Sequence, residues 1–406
     1  MIRKSIILCI SLCLLGSIQA ATPTAYVINT SSETLSKINL TTNFVTNDIV
    51  TLGSDINCYP NQIIVRDTLA YVLLSGTDEI QIIDINTEST VGWILLPAGS
   101  SPFWMAFSGD SYLYVTLLVS NALAKIDLST NQVISTAPVG TAPEGIVIIR
   151  DKAYIAVTGY DFNTFTWGQG RVVVYDLNAD SVFSEIDILT PTNPQFVTID
   201  RTGKIHCICT GDYWSERGKA LIIDAFTNDI MDTVELGGDP SLLAIGPDDR
   251  VFISAGGWAA DGEVFSYDAI TYELYHGSAN PIAVDSGAMG IVPFQDSTYF
   301  ACNFGDKISR LDTDGNIIRT YTMGDGPVHV AFNYQPGDVN GDWSVNIGDA
   351  VYLVNFIFKD GASPAYPLWR SDVNGDRSIN IGDAVYLINY IFRDGDRPQV
   401  GPLWVQ

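Results

Sequence analysis

The sequence predicts a mostly β chain: a seven-bladed β-propeller followed by a small α-helical module. Three observations lead there. One pattern of short apolar runs and turns recurs seven times between Ala25 and about Asn333. The recurrence starts one strand late, and a matching strand stands at its far end. Beyond Asn333 the pattern gives way to two nearly identical acidic loops, each leading into an apolar run of helical length.

The repeat is clearest at its punctuation. An Asx residue closes the third strand at Asn39, Asp84, Asp127, Asp176, Asp224, Asp268 and Asp312, at spacings of 45, 43, 49, 48, 44 and 44. An aromatic marks the second strand at Tyr26, Tyr71, Tyr114, Tyr154, Phe252 and Tyr299, with His206 in its place in the fifth copy. Proline opens the innermost strand at Pro60, Pro102, Pro143, Pro194, Pro240 and Pro327, and Ala288 stands there in the sixth copy. A single four-stranded unit of this length cannot bury both its faces, so copies must stack around an axis. The chain enters at a second strand, Ala25 to Ile28, and residues 327–332 read as a first strand. Pairing the two would close the ring and remove a free sheet edge.

Tyr26-Val27-Ile28-Asn29, and Lys125-Ile126-Asp127-Leu128-Ser129-Thr130 at the other end of the unit, carry a resemblance to the bacterial YVTN-type propeller repeat family over about three quarters of the chain. The resemblance implies the architecture. It does not imply an activity, because propellers of this build serve lactonase-like enzymes, lyases, oxidoreductases and plain binding proteins.

In the tail, oxygen-bearing side chains fall at loop positions 1, 3, 5, 9 and 12: Asp338, Asn340, Asp342, Asn346 and Asp349, then Asp372, Asn374, Asp376, Asn380 and Asp383. Residues 338–358 and 372–392 agree at 17 of 21 positions. Ca²⁺ takes six to eight hard oxygens, which a twelve-residue loop supplies when the carbonyl of position 7 (Ser344, Ser378) joins these side chains. Two ions are expected. The helices run over 347–358 and 381–392, the first amphipathic through Val351, Leu353, Val354 and Ile357. Pro336-Gly337 and Pro367-Leu368-Trp369 precede the loops, so no helix enters either one.

Tandem loop-then-helix units with Asp at position 12 resemble type I dockerin repeats, which implies docking to a cohesin-type protein. The resemblance places partner selection at positions 10 and 11, here Ile347, Gly348, Ile381 and Gly382. Position 6, ordinarily glycine, is Trp343 in one loop and Arg377 in the other; a left-handed non-glycine residue there costs about 1 kcal/mol. Trp369 and Trp404, ending the two units alike, are expected to pack the halves together.

Residues 1–20 read as a signal peptide: basic Arg3 and Lys4, an apolar stretch from Ile6 to Leu15, and Ile18-Gln19-Ala20 before the cut. Residues 21–333 are then the propeller and 334–406 the calcium-binding tail, in a protein expected to be secreted, extracellular or at the cell surface, with no membrane span. Removing Arg3 and Lys4 takes the formal net charge from −25 to −27. Such a surface repels nucleic acid and anionic membranes and favours cations. Cys58, Cys207, Cys209 and Cys302 are too sparse for a disulfide framework and read as buried thiols, a Cys58–Cys302 bond being the alternative.

The loops joining second to third strands are swollen in blades four, five and six. They place Tyr160, Trp167, Tyr213, Trp214 and Trp258 on one rim, with Trp104 nearby. Rings beside carboxylates suit stacking on sugars, and equally suit pinning long loops. No histidine cluster, nucleophile elbow or phosphate loop is present, so no catalytic residue is assigned. The leading reading is a secreted recruitment protein whose propeller recognises an extracellular ligand such as a polysaccharide. The alternatives are a dockerin-borne glycoside hydrolase or polysaccharide lyase, and a surface structural protein with a calcium-stabilised cap.

Overall fold

Each apolar run of the repeat becomes a strand with one side on each neighbouring blade, which is why second strands such as Thr24–Asn29 and Tyr299–Asn303 are buried along their whole length. A computed structural model describes residues 21–399, apart from 189–192, 216 and 258–260. The proposed signal peptide, Trp258 and Trp404 fall outside the described residues.

Seven antiparallel sheets surround a central axis. Blade one joins Pro327–Phe332 to Thr24–Asn29, Thr34–Asn39 and Phe44–Thr51, with Ala25 opposite Phe332 and Val27 opposite Val330. The two ends of the repeat region are thus stitched into one sheet. Blades two to seven are formed in chain order, and blade six gains a short extra strand, Ile282–Val284, beside its third. The inner strands lie side by side in ring order.

The repeated Asx residue is a turn-former. Its carboxyl or amide oxygen accepts from the backbone N–H groups two and three residues on, as at Asp84 to Asn86 and Thr87 (2.8 and 3.0 Å) and Asp268 to Ile270 and Thr271 (2.9 and 2.8 Å). That interaction mimics a backbone turn and starts each outer hairpin. The repeated aromatics fill the seams between blades: Tyr114, Tyr154, Phe252 and Tyr299 are all buried. His206 does the same job with polar partners, its Nδ1 lying 2.6 Å from Tyr267 Oη and its Nε2 3.3 Å from Asp200. Cys58, Cys207, Cys209 and Cys302 are free and buried.

The inner strands start at one face of the ring, here called the upper, and end at the other. Below the middle of the channel lies a cavity of about 330 Å³ whose lower boundary includes Tyr366, Pro367 and Trp369 of the tail. Trp104 and His329 meet edge to face inside the channel, 5.2 Å apart, and Trp104 also abuts Phe196 at 5.0 Å. Trp104 is therefore a channel residue and not part of a rim. Its position, third in an inner strand, puts it below the mouth.

The tail folds as two loop–helix units with helices α1 (Ile347–Phe358) and α2 (Ile381–Arg393). Both begin with a capping box: Asn346 with Asp349, and Asn380 with Asp383. These reciprocal bonds satisfy helix-start N–H groups. Val339, Leu353, Val373, Ala384 and Leu387 form the core between the units. Val351 is half exposed and does not join it. Trp369 also departs from expectation. It packs on a cluster that joins Phe294 and Phe332 of the propeller to Tyr334 and Trp343 of the tail, because the short 3₁₀ turn Leu368–Ser371 carries it to the lower face.

Candidate functional site

In each tail loop the backbone wraps around its first and last carboxylates. Asp338 accepts from the N–H groups of Gly341 and Asp342 (both 3.0 Å) and of Trp343 (3.1 Å). Asp349 accepts from Val339 (2.8 Å), Asn340 (3.1 Å) and Asn346 (2.9 Å). The second loop repeats this: Asp372 takes Asp376 and Arg377 (3.1 and 3.0 Å), and Asp383 takes Asn374 and Asn380 (3.3 and 2.8 Å). All four carboxylates are fully buried. Burial pushes each of them up, Asp349 and Asp372 to about 6. Concentrated buried negative charge of this kind calls for a cation.

Around those carboxylates stand the softer members of each set. Asp342 Oδ2 accepts from Asn340 Nδ2 and Asp376 Oδ2 from Asn374 Nδ2, both at 3.0 Å. Asn346 and Asn380 reach the carbonyls of Ser344 and Ser378, each at 3.3 Å. Among the described residues no three His, Cys, Asp or Glu side chains converge tightly enough to hold an ion by themselves. An ion here needs amide and carbonyl oxygens as well, and that mixed hard-oxygen set suits Ca²⁺. Trp343 and Arg377 stand at φ of 67° and 70°, the left-handed conformation this loop position demands.

The two loops differ in what covers them. Trp343 is buried, and its ring stacks near-parallel with Phe294 of the propeller and with Tyr334, just past its last strand. Its carbonyl accepts from the N–H of Ala21 at 2.8 Å. Arg370, wholly buried, sends Nη1 towards Asp338 (3.4 Å) and Nη2 to Gln295 Oε1 (2.9 Å), while Gln295 donates to the carbonyl of Gly341 (3.1 Å). Arg377, its counterpart in the second loop, is exposed to solvent.

On the outer side of the tail the helices present matching apolar side chains. Ile347, Val351 and Phe358 are exposed on α1, and Ile381, Val385 and Phe392 on α2, with Ile347 and Ile381 both 44 % exposed. Gly348 and Gly382 sit one step along, each donating its N–H to the cap Asn at 2.7 Å.

On the propeller the rim aromatics divide. Tyr160 and Trp167 face each other at 4.7 Å across a small hairpin whose strands are two residues each, so they pin the loop of blade four. Trp214 is 85 % exposed. Asp212 holds it out by accepting from the N–H groups of Trp214 (2.8 Å) and Ser215 (2.7 Å). Tyr213 is partly exposed beside it. Reading the aromatics alone overlooked Glu144 and Asn193, both buried near Tyr213. The signal was there: the residue after each inner-strand proline is Asn61, Phe103, Glu144, Gln195, Ser241 or Val328, and Glu144 is the one ionisable group among them.

Residues 336–395 match the family model described as the Dockerin type I domain. No curated protein matches the chain. Among solved structures, Kuenenia stuttgartiensis hydrazine synthase is similar with a TM-score of 0.56 and 16 % identity, over 70 % of this chain and 91 % of that one. A streptogramin B lyase is similar at 0.56 and 14 %, over 69 % and 89 %, and the Neurospora crassa Pan2 WD40 domain at 0.52 and 14 %, over 66 % and 81 %. At these identities the likeness concerns the fold alone. The chain therefore joins a seven-bladed β-propeller to a dockerin type I domain, a kind of domain that binds calcium and docks to cohesins. Proteins bearing such domains typically work outside the cell or at its surface, and no helix among the described residues is long and apolar enough to cross a membrane.

Proposed function

We propose that this is a secreted recruitment protein in which the tail binds two Ca²⁺ ions and docks to a cohesin-type partner, while the propeller recognises an extracellular polysaccharide. The ions would be held by Asp338, Asn340, Asp342, Asn346, Asp349 and the Ser344 carbonyl, and by Asp372, Asn374, Asp376, Asn380, Asp383 and the Ser378 carbonyl. Ca²⁺ would supply the charge that these buried carboxylates lack.

The observation that carries the docking half is the pair of like apolar faces: Ile347, Val351 and Phe358 on α1, and Ile381, Val385 and Phe392 on α2. Exposed apolar side chains repeated on two helices suit a partner that can seat on either unit. Either unit alone then suffices. Full-length protein titrated against an immobilised type I cohesin should bind in Ca²⁺ and lose binding in EDTA. Ile347→Asp or Ile381→Asp alone should weaken binding only a few-fold, and the double variant at least a hundredfold. Undiminished capture in EDTA, or by the double variant, would sink this reading. A screen for polysaccharide cleavage runs beside it, since turnover would move the propeller from binder to dockerin-borne hydrolase or lyase.

A further inference from the structure

The upper mouth of the channel holds buried polar groups that the fold leaves unused. Glu144 opens the inner strand of blade four, just after Pro143. Its side chain is buried, and Oε2 has no hydrogen-bond partner among the described residues. Burial pushes its carboxyl up to about 8, so at neutral pH it stands protonated and can donate as well as accept. Its place is fixed by its own carbonyl, which accepts from Thr116 Oγ1 at 2.6 Å.

One blade on, Asn193 stands just before Pro194 in a left-handed conformation (φ 55°) and is 1 % exposed. Within ordinary hydrogen-bond distance its amide has no partner among the described residues, and the group it approaches is the Tyr213 phenol. Its backbone carbonyl takes the N–H of Thr210 at 3.0 Å. Gln195 follows, with Oε1 accepting from Thr210 Oγ1 (2.6 Å) and Nε2 lying 3.5 Å from Tyr213 Oη. The Tyr213 phenol joins these groups. It neighbours Asn193 and Gln195 and is pushed up by burial and by the nearness of Glu144. Tyr213 is itself left-handed, at φ 65°. A strained tyrosine thus covers buried groups with unused hydrogen-bonding capacity. Such capacity is a standing cost unless something binds there.

The chemistry narrows the ligand. A metal ion would meet a protonated Glu144, and an anion would meet the negative charge of Asp239, which also lies near Tyr213. Amide, phenol and carboxylic acid can each both donate and accept, which matches hydroxyl groups. Trp214 adds a flat apolar surface one residue from Tyr213, held outward by the Asp212 turn. We infer that Glu144, Asn193, Gln195 and Tyr213, with Trp214 alongside, form a subsite for one uncharged sugar residue. The inference rests on the propeller being the ligand-binding half of the protein and adds where, and what, it binds.

The test uses the full chain in Ca²⁺, titrated by calorimetry with soluble β-glucan, xylan, mannan and galactan, and with polygalacturonate as the charged comparison. Wild type should bind at least one neutral glycan and not polygalacturonate. Asn193→Ala and Trp214→Ala should each weaken that binding about tenfold while Ca²⁺ uptake and cohesin capture stay unchanged. Trp214 is so exposed that its loss cannot unfold the ring. Glu144→Ala should weaken binding similarly, and Glu144→Gln, which stays neutral and bonds alike, by less than threefold. Glycan binding indifferent to Asn193→Ala and Trp214→Ala overturns the subsite but leaves the propeller as the ligand-binding half. No binding to any neutral glycan, or a preference for polygalacturonate, overturns both the subsite and its ligand class.

Discussion

Loops 338–349 and 372–383 are close copies, yet they have come to rest in opposite surroundings. The first is pressed against the propeller, with Trp343 between Phe294 and Tyr334 and Asp338 beside the buried Arg370. The second faces solvent, with Arg377 exposed where Trp343 is buried. The left-handed strain is the same at both, about 1 kcal/mol each. Burying a large aromatic contributes roughly 1.5–3 kcal/mol, so at Trp343 packing outweighs strain. At Arg377, which is exposed, no comparable burial offsets it. Two near-identical acidic loops thus serve differently, one of them built into a joint with the propeller. In that joint, the N–H that closes the loop around Asp338 and the ring that seats on the propeller belong to one residue.

The largest effect is expected from Trp343→Gly. It removes the strain but also the stacking on Phe294 and Tyr334, and buried Trp losses run to roughly 3–5 kcal/mol. Calorimetric unfolding should show the melting temperature fall, and limited proteolysis should cut between 333 and 338, freeing the tail. Arg377→Gly should do neither. Equal responses at the two positions would abolish the distinction between joint and free loop.

Next comes Arg370→Met. Removing one member of a buried ion pair costs on the order of 3–5 kcal/mol when the other charge is left alone. Here a calcium ion would take over as partner to Asp338. The variant should therefore lose most stability in EDTA and much less in excess Ca²⁺, whereas a purely structural arginine would cost the same in both. Thermal melts under the two conditions decide it.

How much of this was legible in the sequence follows from how it was read. Repeats reveal what their copies share. The Asx spacing gave the seven blades and the two loops displayed their oxygen pattern, because turns and cation cages need the same residue types each time. A joint or a subsite is built from residues that only one copy has. Trp343 against Arg377, and Glu144 against Asn61 or Ser241, show as exceptions to the repeat, and an exception does not name its partner. Phe294 lies 49 residues from Trp343 in the chain and met it only through ring closure. Trp369 deceived for the opposite reason: its echo in Trp404 implied a role shared between the halves, while Trp369 itself packs on the aromatic cluster beneath the propeller.

A smaller effect separates the loops by their acids. In Asp338→Ala, calcium loss in the first loop should also lower the melting temperature of the propeller, since the loop and the seat of Trp343 are one structure. Asp372→Ala should remove an ion with the propeller melt unchanged. Calorimetric Ca²⁺ titration, expected to drop from two ions to one in each variant, runs alongside the melts. Identical propeller melts in the two variants would mean that calcium and docking are independent.

The smallest effect is also the cleanest probe of strain. Arg377→Gly takes away a left-handed side chain that is exposed to solvent, so it should tighten calcium at the second loop by about 1 kcal/mol, roughly fivefold in Kd. The same change at Trp343 relieves equal strain but loses the seat on the propeller, so calcium there should weaken. One substitution at equivalent positions of near-identical loops would then move affinity in opposite directions. Two shifts of the same sign would show that the propeller contributes nothing to the first calcium site, and that the joint and the cage merely share an address.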